Sequence, residues 1–357
     1  MSTRANRFIR DNVQRMDGYT PGEQPVGERV IKLNTNENPY PPSPRVSEAL
    51  SRLDPKSLAR YPDPLAKDLR RAIAEVHGCD IQNVFAGNGS DEALALCLRA
   101  FVEDSGSVGY FEPSYSLYPV LADIQGVQKR PLALGEGFEW RMETDYSSSL
   151  FFLTNPNAPT SILYDKSTVA AFCRDFEGVV VIDEAYVDFS DHDCLDLALE
   201  MDNVLVARTL SKSYSLAAVR LGYLIGCPEL IAAIYKIKDS YNLNRLSQDC
   251  ARAAIEDQTH MRANCERIVA GRTRASEMLR SRGFEVLPSQ TNFLWVRPQA
   301  IGAPRLFHEL KSRSIHVRHF AGERTGTYLR ITIGTDEEMD SLISAIDSIL
   351  GQDACRE

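Results

Sequence analysis

No two of the eight cysteines form a CxxC pair, and they scatter from Cys79 to Cys355. That excludes a disulfide framework or a zinc ribbon. Cys97, inside the apolar helical pattern EALALCLRAF, typifies what is expected instead: reduced, mostly structural thiols of a cytoplasmic protein. The six histidines lack HExxH or related spacing, so no metal site is expected. No apolar run reaches the length of about 18 residues that a membrane-spanning helix needs. Met1 to Arg15 is polar without an apolar core, so no secretory signal is expected. A basic excess is missing as well. With a net charge of −9, general nucleic-acid binding is not expected, although a local cationic site for a small anion is compatible with it. Internal repeats and low-complexity segments are absent.

What is present is enough apolar residue, 43% of 357, to build about two domains. The first stretch is rich in proline, as in YTPGEQP, NENPYPPSP and YPDP, and reads as an extended arm and loops. From about residue 67 the pattern alternates between helical periods and short apolar runs: NVFAGN, SVGYF, LFFLTNP, VVVIDEAY, VLVARTL and LGYLIGC. Continuous apolar strands separated by helices predict an α/β fold with a mostly parallel central sheet covered on both faces. A long helix is expected over roughly Leu246 to Arg282. Strands are expected over Phe284 to Leu287, Asn292 to Val296, Ile315 to Arg318 and Tyr328 to Ile333, before a last helix from Asp336 to Leu350. The expected division is an arm contributing to a small domain (1–50), a large domain (51–250) and a smaller α+β domain (251–357).

Three strand ends carry chemistry. In AGNGSDE, Gly87 and Gly89 lie between a strand and a helix, with Ser90 as a candidate N-cap and Asp91 and Glu92 in the first turn. Free amides at that helix start suit a phosphate; an ordinary capped βα turn reads the same way. The segment is not GxxxxGK[ST], which disfavours a nucleoside triphosphatase. The run VVVIDEAY delivers Asp183 to the end of a strand, where open α/β sheets bind ligands. Asp183 could hold a protonated ring nitrogen and Tyr186 a phenolic oxygen; a strand-end cap or metal carboxylate is the alternative. After the third strand comes TLSKSYSLAAVRLGY, with Lys212 and Arg220 in apolar surroundings and hydroxyls at Thr209 and Ser211. A buried cation needs a partner or a reaction. A lysine able to form an imine, an aspartate for a pyridinium and a phosphate cup are the parts of a pyridoxal 5'-phosphate (PLP) site.

SKSYSLAAVRLGY, DEAY, TNPNAPT, YPDP and YLRITIGT together resemble the fold-type-I PLP-dependent aminotransferases. LNTNENPYPPSP, GNGSDE and VRHF…YLRITIGT are similar to the branch acting on histidinol phosphate. The resemblance implies a PLP-transferase-like large domain and a role for each matching position. Lys212 would link to the cofactor and shuttle the proton, Asp183 would pair with the pyridine N–H, and Tyr186 would bond the phenolic oxygen. Tyr115 would stack on the ring. Gly89, Ser90, Asp91, Thr209, Ser211 and Arg220 would hold the phosphate, joined by Tyr61 from a second subunit of a homodimer. Arg330 would grip a carboxylate, Arg318 a substrate phosphate, and Tyr19 and Asn36 would line the substrate pocket. The family's NPTG is NAPTS here, so Ala158 replaces the asparagine that bonds the phenolic oxygen, Ser161 replaces the glycine, and Asn157 stands one residue early. Ala218 replaces a glycine after the lysine, so its backbone should avoid positive φ. The implied reaction is amino transfer from L-histidinol phosphate to 2-oxoglutarate. An aromatic amino-acid aminotransferase, a phosphothreonine decarboxylase of the same fold, a non-catalytic PLP-fold binding protein and a nucleotide-dependent enzyme are the rivals.

Overall fold

The computed structural model describes residues 6–354 apart from 28 and 144, with side chains to residue 351; Cys355 lies outside the described residues. A two-residue strand, β1 (Ile31–Lys32), comes first. Seven strands follow: β2 (Val84–Gly87), β3 (Ser107–Glu112), β4 (Gln128–Ala133), β5 (Leu150–Thr154), β6 (Val179–Asp183), β7 (Val204–Thr209) and β8 (Gly222–Gly226). They form one sheet in the order β2-β8-β7-β6-β5-β3-β4. Only β8 runs against its neighbours; the other pairings are parallel. The fold is therefore α/β with a mostly parallel sheet, as the apolar runs predict.

Every residue of β5, β7 and β8 is buried. This is the signature of a sheet covered on both faces. Successive residues of β5 alternate between two cores, as strand geometry requires. Leu150 and Phe152 pack with Phe85, Leu94 and Tyr118, whereas Phe151 and Leu153 pack with Phe111, Val206 and Trp295.

The C-terminal part adds β9 (Glu285–Val286), β10 (Phe293–Arg297), β11 (Ile315–His316), β12 (Arg318–His319) and β13 (Leu329–Thr332). Four of these make an antiparallel sheet, β12-β13-β10-β9, while β11 pairs in parallel with β1 near the chain start. The single strand expected over 315–318 is thus split at Val317, which passes the chain from one sheet to another. The long helix expected over 246–282 is two helices, Arg245–Ile255 and Gln258–Arg280. Asp257 sits between them and accepts from the His260 N–H, capping the second; a capping aspartate ends one helix and begins the next.

The C-terminal ends of the parallel strands share one rim of the sheet. There β6 delivers Asp183 and β7 delivers Thr209, with Lys212 three residues further on.

Candidate active site

A cavity of about 650 Å³ opens at that rim. Its floor is the start of the helix Ser90–Phe101. Gly89, with φ +85°, is the N-cap, and Ser90 is the first helical residue rather than the cap. A Cβ at Gly89 would come within 2.8 Å of Arg220 Nη2, so glycine serves both the left-handed turn and the close approach. A Cβ at Gly222 would meet the Ser90 nitrogen at 2.3 Å. Strand β8 therefore admits the helix start only because that residue is glycine. The first amides of a helix have no intrahelical acceptor and favour an anion.

Around them, Arg220 Nη1 reaches Ser211 Oγ at 3.4 Å and Nη2 reaches Asp91 Oδ2 at 3.3 Å. Thr209 donates to Ser211 at 3.1 Å. Arg220 takes φ +55°, a left-handed backbone that turns its side chain back over the helix start. Ala218 lies in a short 3-10 turn, and the positive φ values fall instead at Ser215 and Arg220.

Asp183 is buried and receives two donated bonds, from Tyr118 O–H at 2.8 Å and the Ala185 N–H at 3.2 Å. Burial nevertheless dominates and pushes its carboxyl up to about 6. Behind Tyr118, Thr154 Oγ1 lies 2.5 Å from the phenol and Ser114 Oγ lies 3.1 Å from Thr154. Ser114 in turn reaches Asn157 Oδ1 at 3.2 Å. Asn157 spends its amide on Thr160 and the Pro113 carbonyl, at 2.8 and 3.2 Å. The structure therefore does not bring Asn157 to the cavity wall, where the smaller Ala158 stands. Tyr118 is the partner of Asp183 that sequence reading misses. It sits three residues after Tyr115 in an apolar helix, stacks on Phe152, and carries no local mark of its contact with Asp183.

Lys212, just past the end of β7, is half-buried and donates to the Thr35 carbonyl at 3.0 Å. Burial first, then Arg330 and Arg220, pushes its ammonium down to about 7 against the opposing pull of Glu37 and Asp91. Tyr186 lies beside it, with the amine 5.9 Å from its ring centre, and accepts a bond from Asn36 at 2.9 Å.

The far wall holds two arginines directly opposite each other, Arg318 on β12 and Arg330 on β13. Like charges at such a position destabilise a sheet unless an anion answers them. Arg330 donates to the Asn34 carbonyl at 3.0 Å, while its buried Nε has no partner. Arg318 makes long contacts of 3.4 and 3.5 Å to the Thr20 and Pro21 carbonyls and lies 5.3 Å over the Phe320 ring. Tyr19 meets Tyr115 edge-on with centroids 6.0 Å apart, and Tyr115 O–H donates to Asp91 at 3.1 Å. Tyr61, like Asn157, does not line this cavity. It is 80% exposed and stacks on Tyr241 at 4.4 Å.

An amine of lowered proton affinity, a carboxylate, a helix start with an arginine, and two facing arginines fit a substrate with more than one anionic group. The sequence matches the family described as aminotransferase class I and II over residues 28–346. Histidinol-phosphate aminotransferase of Citrifermentans bemidjiense is 43% identical over 340 residues, covering 95% of this chain and 97% of its own. That of Chromohalobacter salexigens is 44% identical over 353 residues, covering 96% and 99%. Among solved structures, histidinol-phosphate aminotransferase from Sinorhizobium meliloti in complex with pyridoxal-5'-phosphate superposes with TM-score 0.85 at 24% identity, covering 96% and 98%. L-threonine-O-3-phosphate decarboxylase from Porphyromonas gingivalis gives 0.79 at 18% over 90% and 100%, a likeness of fold alone. By sequence across nearly its whole length, and by fold, this chain belongs to the class I and II aminotransferases.

Proposed function

We propose that this chain transfers the amino group of L-histidinol phosphate to 2-oxoglutarate, yielding imidazole-acetol phosphate and glutamate, with PLP as cofactor. The observation that carries the reading is the convergence of Lys212, Asp183 and the Arg220 cup in one cavity whose opposite wall bears Arg318 and Arg330. The residues fit PLP: an amine with lowered proton affinity, a buried carboxylate, and a helix start cleared by Gly89 and Gly222. When bound, PLP supplies an electron-poor ring that withdraws charge from the carbon losing its proton.

Each side chain then has a task. Asp183 holds the proton of the ring nitrogen, kept in place by Tyr118 and the Ala185 amide. Ser90 and Asp91 amides, Ser211, Thr209 and Arg220 would hold the cofactor phosphate, and Tyr115 would pack against its ring. Lys212 takes the substrate's α-proton on Nζ and returns it, which an amine near neutral proton affinity does well. Arg330 and Arg318 bind the phosphate ester in one half-reaction and the dicarboxylate in the other. Tyr19 and Phe320 offer aromatic walls to the imidazole, and the same walls favour aromatic amino acids as a secondary donor class. Tyr61, exposed and braced by Tyr241, would reach the phosphate of a partner copy in a cytoplasmic homodimer. Domains dividing near residues 50 and 250 would set the large sheet against the C-terminal layer.

A donor panel tests this reading. Histidinol phosphate is expected to exceed phenylalanine in kcat/KM by about tenfold or more, because only the former satisfies both arginines. Glutamate should accumulate without release of carbon dioxide. Faster reaction with phenylalanine, or loss of carbon dioxide, defeats the assignment.

Lys212 also affects stability. Its folded-state proton affinity lies below the ordinary value of 10.5, so the charged form is the one penalised on folding. Below about 7 the folded protein carries that penalty in full. Between about 7 and 10.5 the unfolded chain binds a proton that the folded one lacks, so stability climbs with pH. Lys212→Met is therefore expected to raise the melting temperature of the cofactor-free protein most at pH 6–7. The gain should shrink toward pH 10.5, as read by thermal melts across that range.

A further inference from the structure

Tyr186 can orient a ligand oxygen only if its own proton points into the cavity, and a phenol is free to point either way. The surrounding bonds fix the direction. The Asn36 backbone N–H donates to Thr332 Oγ1 at 3.0 Å. Thr332 Oγ1 lies 3.1 Å from Asn36 Oδ1 and donates to it. The Asn36 Nδ2 then donates to Tyr186 Oη at 2.9 Å. With the amide turned the other way, the buried Thr332 proton would have no acceptor among the described residues, an arrangement that buried hydroxyls avoid. In the observed arrangement the Asn36 N–H, the Thr332 hydroxyl and the Asn36 amide each donate, and Tyr186 receives a bond from behind. Asn36 is itself anchored: it is buried, takes φ +56°, and its carbonyl accepts from Asn292 Nδ2 at 3.0 Å. No carboxamide serves this role from position 158, where alanine lines the cavity.

We infer that Asn36 is a positioning residue, held by Thr332, that fixes Tyr186 as a one-way donor into the cavity and so stands in for the side-chain donor missing at Ala158. The inference rests on the PLP reading above, since the oxygen that Tyr186 would meet belongs to that cofactor. It assigns Asn36 a different task from the substrate contact that the sequence resemblance implies.

The test is a pH titration of the visible absorbance of the PLP-loaded protein. Donation to an anionic oxygen favours its deprotonated form, so losing the donor raises the pH midpoint. Tyr186 is also faced by Arg330, Asp183, Tyr19 and Lys212, all of which stay in place in the variants. Asn36→Gly, which tolerates the left-handed backbone, is expected to raise the midpoint by about half a unit or more, as Tyr186→Phe does. Thr332→Val, isosteric and free of added charge, is expected to shift it the same way by less. Asn36→Gly combined with Tyr186→Phe should match Tyr186→Phe alone, because one acts through the other. A purely structural Asn36 would lower the melting temperature and leave the midpoint in place. An unmoved midpoint in both the Asn36→Gly and Thr332→Val proteins overturns the inference, as does full additivity in the double variant, while the PLP reading stands. A wild-type protein that takes up PLP without a visible band overturns both.

Discussion

Lys212→Ala is expected to lower turnover by about four orders of magnitude or more while the protein still takes up PLP. In the proposed reading Lys212 would carry two tasks on one nitrogen, holding the cofactor and moving the substrate proton. Among the described residues no second lysine lines the cavity, and the neighbouring cations, Arg220 and Arg330, are guanidiniums rather than amines. Uptake should persist because the phosphate cup, Tyr115 and Asp183 are untouched. Removing a cation whose charged form burial penalises favours the folded state, and a thermal melt of the variant separates lost chemistry from lost fold. Single-turnover rates and borohydride labelling check both halves: the label should fix on Lys212 in the wild type and nowhere in the variant. Activity near wild type, or a label on another lysine, would remove Lys212 from the centre of the site.

Asp183→Ala is expected to weaken PLP retention by about a hundredfold to a thousandfold, with a marked fall in the rate of proton abstraction. The estimate follows from the cost of leaving one member of a buried charge pair alone, about 3–5 kcal/mol. Two protein donors also lose their acceptor, Tyr118 O–H and the Ala185 N–H. Tyr118 is buried and stacked on Phe152, so its freed O–H has no ready route to water. Equilibrium dialysis of PLP and the pre-steady-state rate separate the two effects. Unchanged retention together with an unchanged rate would deny Asp183 its place behind the ring nitrogen.

Much of the site is legible in the sequence because it is built from strand ends. An apolar run that stops at Asp183, another that stops at Thr209 before Lys212, and a glycine turn before Ser90 are local patterns. The sheet converts their order into proximity. Ser90 shifts by only one position, from cap to first helical residue, since Gly89 takes the left-handed turn. Ser161 illustrates a departure whose meaning appears only in the structure. It holds φ +67°, the backbone that the family's glycine adopts freely, and its buried Oγ donates to the Pro288 carbonyl at 3.1 Å. Asn157 misleads by adjacency, because one residue along this turn is the difference between the cavity wall and the packing behind it.

By itself, the sequence determined the layered architecture and which candidate groups stand at the strand ends, because periodicity and strand-end chemistry are written in neighbouring residues. Tertiary structure alone decided which distant groups touch. Arg318 faces Arg330 only because Val317 passes the chain between sheets. Asn36 reaches Tyr186 across 150 positions, and Tyr118 reaches Asp183 across 65. Such contacts depend on how whole elements pack, and packing between elements leaves no periodic trace in either partner's local sequence.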